Sequence, residues 1–362
     1  MVIFPIAVVI FFTSLMNEGQ PENMPVGVVD LDNSATSRTL VRKLDAFQTS
    51  EVVAHYPSVS DARTDIQRNR IYAFLYIPKG TERELMASRQ PKISFYYSYS
   101  SFTSGALLFR DMKTISLLGS AAVGKAKLSA LGKRDKEIVN FLQPVAIDLH
   151  PVNNPEINYN VYLSATLIPA CLLLFIFLIT AYSIGTELKF NRSKEWMKNA
   201  DNNIVVALWG KMLPQTLVFV AIMCLYLLYI YHFMQFPHAG GVGSMLLLAF
   251  LSVLGAQGFG IFAFGLMPSL RMSMSICSLW AALSFSVMGA TFPVSAMDSM
   301  IQSLSFLFPM RHYFQIYQIC VFNGYPMTDA WIHIGALLLF MFLPLLVLHR
   351  IKKAMLEYVY IP

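Results

Sequence analysis

Charge is scarce in this sequence: Asp, Glu, Lys and Arg make up only 13% of 362 residues, about half the share of a soluble globular domain. A single soluble globule is therefore excluded. Cysteine is scarcer still. Cys171, Cys224, Cys277 and Cys320 all fall in apolar runs, so residues 17 to 157 have no disulfide framework and must rest on their own core. A complete phosphate loop is also missing. GSAAVGKA at Gly119 to Ala126 follows G-x-x-x-x-G-K but ends in alanine where a hydroxyl should hold magnesium. There is no G-x-S-x-G elbow and no H-E-x-x-H, and the seven histidines show no ligand spacing, which removes the usual marks of hydrolase and zinc chemistry. No carboxylate pair lies inside an apolar run, which argues against proton-coupled transport. The net charge of +6 is scattered along the chain, so nucleic-acid binding is not indicated.

The charges that exist are concentrated. Residues 17 to 157 hold 17 Lys and Arg and 15 Asp and Glu, leaving few for the remaining 221 positions. A water-exposed domain inserted into a membrane protein has this distribution, because a charge at the centre of a spanning helix costs roughly 2.5–3.5 kcal/mol. Five uncharged runs approach or exceed the roughly 20 residues needed to cross the hydrocarbon core. They are Val161–Tyr182, Met212–Phe236 with a helix starting near Val205, Ala239–Leu270, Met272–Met297 and Trp331–His349. Val2–Met16 is apolar but short. It lacks a basic leader and a small-x-small cleavage site, and is expected to be a first membrane helix whose cytoplasmic beginning is missing or very short.

Orientation follows from the bias of Lys and Arg toward short cytoplasmic loops. One side holds Lys189, Arg192, Lys194, Lys198, Lys211, Arg271, Arg350, Lys352 and Lys353, and the other only Arg311. This places the 185–204 loop and the C-terminal tail in the cytoplasm and residues 17–157 outside. Between Phe292 and Asp329 the run is interrupted by Pro293, Pro309 and Pro326. A broken segment at membrane depth must pack on protein or line a cavity. Met300–Phe322 therefore reads as an external re-entrant helical hairpin, within a segment 293–328 whose gate residues are Pro293, Phe308, Pro309 and Arg311.

Residues 25–150 switch between strand and helix patterns, as a small α/β domain does. PVGVVD is a strand, and Asn33 or Ser34 caps a helix to Phe47. Glu51–His55 is a second strand, Ser60 caps a helix to Asn69, and IYAFLYIP is a third strand. Gly80–Ser88 is helical and KISFYYSY is a fourth strand. A long helix from about Thr103 to Leu131 and a final strand near Val145–His150 complete the domain.

The cytoplasmic loop GTELKFNRSKEWMKNADNN carries Glu187, Glu195 and Trp196 in addition to its basic residues. Topology alone does not require acidic and aromatic groups there. A short amphipathic helix along the membrane surface, presenting a docking face, would use them.

This order of elements resembles type-2 ABC exporter permeases with a large external domain between the first and second spans. VGVVDLDNSATSRTLVRKL is similar to their opening strand and helix, and IYAFLYIPKGTERELM to their third strand and following helix. NNPEINYNVYLSATLIP resembles the entry to their second span, and GTELKF with GKMLPQ their coupling segment and third span. TFPVSAMDSMIQSLSFLFPMRHYF resembles their external re-entrant segment. Arg192-Ser193 stands where many relatives have Gly-Thr, and the basic segment that precedes their first span has no counterpart here.

The expected fold is a polytopic α-helical membrane protein with six spans and an external re-entrant hairpin, plus an inserted α/β extracytoplasmic domain. Residues 1–16 form the first helix, 17–157 the external domain and 158–362 the five-span remainder. The resemblance implies a permease subunit in the bacterial cytoplasmic membrane that exports a hydrophobic or amphipathic substrate and is not itself an enzyme. It would bind no cofactor directly; ATP and magnesium would act through an ATP-binding cassette partner docked on Glu187, Arg192, Ser193, Lys194, Glu195 and Trp196. A second permease subunit, identical or a close paralogue, is implied, and a periplasmic adaptor is compatible with it. Apolar cavities near Phe175, Phe177, Phe259 and Phe262 would suit such a substrate. The rival reading is a membrane-anchored receptor or scaffold, which needs neither a broken external segment nor an acidic and aromatic loop.

Overall fold

The computed structural model describes residues 1–17, 19–87, 89–100, 102–143, 153–154 and 157–358. The chain divides into two compact units, one made of Met1–Asn17 with Pro151–Pro362 and the other of Glu18–His150. The first unit opens with helix α1 (Ile3–Leu15), apolar but only 13 residues long.

In the second unit the β-branched run of β1 (Met24–Asp30) becomes the centre of a sheet. Helix α2 (Ala35–Asp45) leads to β2 (Ser50–His55), α3 (Val59–Gln67) to β3 (Ala73–Ile77), and α4 (Thr81–Met86) to β4 (Ser94–Tyr97). The order is β2-β1-β3-β4, parallel but for the antiparallel β3–β4 pair. Alternation along β1 sends Val26 and Val28 to one face, under Leu44, Leu108, Met112 and Ile115, and Val29 to the other, with Ala62, Ile71 and Phe74. The first face is covered by α2 and by α5 (Phe102–Ala130), which is followed by α6 (Asp135–Leu142).

Polar groups fix the corners. Ser34 accepts from the Ser37 amide at the start of α2, and Asp32 accepts from the amides of Gly80 and Glu82 at 2.7 and 3.1 Å. The Ser34 hydrogen bond and these amides hold the Asp32 carboxyl below its usual range. The cap of α3 is Ser58 rather than Ser60. Both positions offer a hydroxyl, and the earlier one lies where the backbone is still extended. Helix α4 stops at Met86, short of Ser88, and the strand expected at 145–150 lies outside the described residues.

The first unit is an assembly of apolar helices, and among the described residues five are long enough to cross a membrane: Tyr159–Lys189, Ile204–Phe233, Val242–Leu266, Leu270–Val287 and Met327–Glu357. Helix α7 (Tyr159–Lys189) starts where Asn158 accepts from the Asn160 and Val161 amides. Helix α8 (Ser193–Lys198) is a short connector, and α9 (Ile204–Leu228) continues as a wider π turn to Phe233. Helix α10 (Val242–Leu266) is the most deeply buried span, packed against α7, α9, α11 (Leu270–Val287) and α14 (Trp331–Phe342). Two glycines permit this. A Cβ on Gly258 would meet the Phe340 carbonyl oxygen at 2.2 Å, and one on Gly260 would meet Thr180 Cβ at 2.9 Å. Small residues at such crossings let helix backbones approach in an apolar medium. Helix α1 lies against α7, with Phe4 and Phe175 rings 5.0 Å apart.

The fourth span ends at Val287, ten residues before the expected Met297, because Gly289 takes φ +99° and Pro293 follows. The chain then forms α12 (Ser299–Ser305) and, after a turn, α13 (Pro309–Ile316), which widens to a π turn through Phe322. The last span has its own interruption around Pro344, then resumes as α15 (Leu348–Glu357), so the HRIKK cluster is helical.

Candidate functional site

Two places in the first unit combine polar chemistry with irregular backbone. The first is the connection between α7 and α9. Asn191, Asp201 and Asn202 adopt left-handed backbone angles of 53°, 52° and 57°, which Asn and Asp tolerate best among residues with side chains. They reverse the chain on either side of α8. Met197 is buried in a cluster with Ile184, Leu188, Ile204, Leu208 and Ile351, while Arg192, Lys194, Glu195 and Lys198 stay exposed. The short helix is thus seated by its apolar side and keeps a mixed charged face free.

Three of the sequence-derived residues sit differently from expectation. Ser193 is buried at the start of α8. Glu187 forms an ion pair with Lys211 on α9, both side chains less than one-fifth exposed. The Lys211 ammonium also lies 5.3 Å from the ring centre of half-buried Trp196. Glu187 and Trp196 therefore hold the loop to the spans rather than facing solvent. Lys211 was missed as a site residue because its partner lies 24 positions away on another helix. The α15 helix was missed as well. It packs on α8, and Arg350 donates to the Leu266 carbonyl at 3.1 Å, capping the end of α10.

The second place is the break between α12 and α13. Its turn, Phe306 to Phe308, is held by side chains from neighbouring helices: Trp280 Nε1 donates to the Leu307 carbonyl at 3.1 Å, and His312 Nε2 donates to the Phe306 carbonyl at 2.8 Å. Exposed carbonyls inside an apolar layer need such donors. Because His312 Nε2 carries a proton, its Nδ1 accepts, and His333 Nδ1 donates to it at 3.0 Å. Phe308 is buried against Trp280 with centroids 4.8 Å apart, Pro309 is the buried first residue of α13, and Pro293 is an exposed turn residue. Arg311 is buried beside the Phe306 ring at 4.9 Å. Trp280 lies about 10 Å before the end of α11, so the turn is set well along that helix.

Two other candidates change meaning. GSAAVGKA lies wholly inside the continuous helix α5, whose amides are engaged in helix bonds and cannot cradle a phosphate. Phe177 and Phe259 pack on each other at 5.0 Å in the core. An apolar cleft of about 200 Å³ lies among Val205, Trp209, Leu213, Thr216, Gln257 and Pro344.

The profile of a family described as ABC-2 family transporter protein matches residues 1–348. The chain belongs to that family. No curated protein matches it. This ABC-2 protein is a membrane protein with several apolar spans, the non-catalytic membrane subunit of a transporter whose ATP hydrolysis lies in an ATP-binding cassette subunit.

Proposed function

We propose that this permease exports a hydrophobic or amphipathic substrate from the cytoplasm or inner leaflet of a bacterial cytoplasmic membrane, driven by a cassette ATPase docked on residues 185–204. The observation that carries the reading is the construction of that loop: α8 is anchored by Met197, Trp196 and the Glu187–Lys211 pair, and offers Arg192, Lys194, Glu195 and Lys198 outward. A rigidly seated helix with free charges can receive a push and pass it to the spans. In this reading α1 is a sixth span, both termini are cytoplasmic, residues 17–157 form an external domain, and 293–328 is a re-entrant gate near the exit. Two such subunits, identical or closely related, would pair; ATP and magnesium act only in the partner. A periplasmic adaptor is compatible with the external domain.

The test is recovery of the ATPase with wild-type and Glu195→Lys protein at matched expression in mild detergent. A solvent-facing charge reversal should alter stability by less than about 0.5 kcal/mol, while breaking one side of an interfacial charge pair loses roughly 2–5 kcal/mol of binding. Recovery and ATPase stimulation should both fall for the variant. Equal values would transfer the assignment to the anchor or receptor reading.

A further inference from the structure

Arg311 sits in a position that opposes it in three ways. It is 8% exposed, and its Nε and Nη1 have no hydrogen-bond partner. Among the described residues, none of the ion pairs includes it. A buried charge without a partner is expensive in any protein interior and more so at membrane depth. It also belongs to the first turn of α13, which no side chain caps, and a cation there opposes the helix dipole. The neighbouring groups do not relieve it. His312 and His333 are committed to each other and to the Phe306 carbonyl, and Asp298 accepts from the Met300 amide at the start of α12. Only the Phe306 ring offers it a weak cation–π contact.

All three oppositions are removed by one anion. We infer that Arg311 and the uncapped start of α13 form a binding site for the anionic headgroup, phosphate or carboxylate, of a molecule with an apolar tail. The guanidinium supplies charge-assisted donors, and the helix start adds the Met310 amide, since Pro309 has none and the Arg311 amide bonds the Phe308 carbonyl. The surroundings select for a tail: Phe308 and Trp280 pack beside the turn, and Met300, Ile301, Leu304 and Leu307 expose apolar surface along and just after α12. The inference deepens the reading of 293–328 as membrane-embedded and does not depend on where the ATPase docks.

The experiment follows the unfolding midpoint of the purified full chain in dodecyl maltoside as dodecyl phosphate is titrated. Wild type should show a saturable rise. Arg311→Gln should bind at least about tenfold more weakly, the scale of one lost charge-assisted hydrogen bond, and Arg311→Lys should keep part of the response. Arg311→Met without ligand should be no less stable than wild type, because it removes an unpaired charge. Phosphatidylglycerol in mixed micelles separates the sources: a response to it as well assigns the site to bilayer lipid, and a response to dodecyl phosphate alone assigns it to a single-chain cargo. Equal responses in wild type and Arg311→Gln would overturn the site, as would a full response to inorganic phosphate alone. So would a loss of stability in ligand-free Arg311→Met, or dimer dissociation in Arg311→Gln with anion response unchanged, since each would mean the guanidinium already has a partner. ATPase recovery, which reads the 185–204 loop, reports separately on the proposed function.

Discussion

Lys211 on α9 reaches back across the 185–204 loop to pair with Glu187 near the end of α7, and its ammonium covers the ring of Trp196 on the way. One side chain thereby ties the two spans that flank the loop and the short helix between them. Glu187→Lys or Lys211→Glu alone should destabilise the protein by about 1–3 kcal/mol, the range for losing a hydrogen bond between charged groups. The exchange Glu187→Lys with Lys211→Glu should recover part of that loss. Thermal unfolding of the four proteins in one detergent checks it. Non-recovery in the double variant would mean that the contact contributes no net stability.

Topology can be read by cysteine accessibility, since Cys277 and Cys320 are buried and Cys171 and Cys224 are only partly exposed. A cysteine at exposed Gln90 should react with a membrane-impermeant reagent in intact cells. One at exposed Asn199 should react only after permeabilisation. Ser58 is a poorer reporter because its hydroxyl caps α3, and its loss costs about 1 kcal/mol. The opposite labelling pattern would invert the proposed orientation.

The glycines of the membrane unit divide into those that admit a backbone and those that do not. Gly258→Ala would drive a Cβ into the Phe340 carbonyl at 2.2 Å and should cost about 1–3 kcal/mol by overpacking. Gly210→Ala on α9 meets nothing within 4 Å and should be neutral or stabilising by up to about 1 kcal/mol through helix propensity. Unfolding midpoints of the two variants should move in opposite directions or, at the least, differ clearly.

In the second unit, Tyr56 donates to Asp65 at 2.9 Å. Burial, and then this bond, raise the phenol to about 12 from its ordinary value of 10.0. A raised folded-state value means the contribution is complete below the unfolded value and is lost as pH climbs through the folded one. Stability should therefore decline between about pH 10 and 12. Tyr56→Phe should flatten that slope while lowering stability at neutral pH through the lost hydrogen bond. An unchanged alkaline slope would show that other groups set it.

What the sequence reveals here is whatever a local rule imposes. The long spans stand out because a hydrocarbon layer forbids charge over about 20 residues, β1 because its valine run is bounded by turn residues, and β3 because an aromatic and aliphatic run is. The prolines at 293, 309 and 326 mark an interruption, yet only the fold shows that Trp280 and His312 hold its turn. Glu187 looks like a solvent charge because nothing within a helical turn pairs with it; its partner becomes a neighbour only when α7 and α9 lie side by side. The choice between Ser58 and Ser60 as a cap, and the end of the fourth span at Val287, were illegible for the same reason. Each depends on which of two permitted local geometries the neighbours accept.

The last span touches both irregular places. Near its start His333 bonds His312 beside the α12–α13 turn, and at its end α15 rests on α8. Between them the helix is interrupted at Pro344, whose ring leaves no amide to bond back along the helix. A rod with a soft joint transmits thrust along its axis but yields to bending. If the cassette ATPase pushes on α8 as proposed, displacement along the span would be carried toward His333, while sideways displacement would be absorbed as flexure at Leu343–Leu346, so the direction of the stroke, and not its size alone, would decide what arrives at the far end.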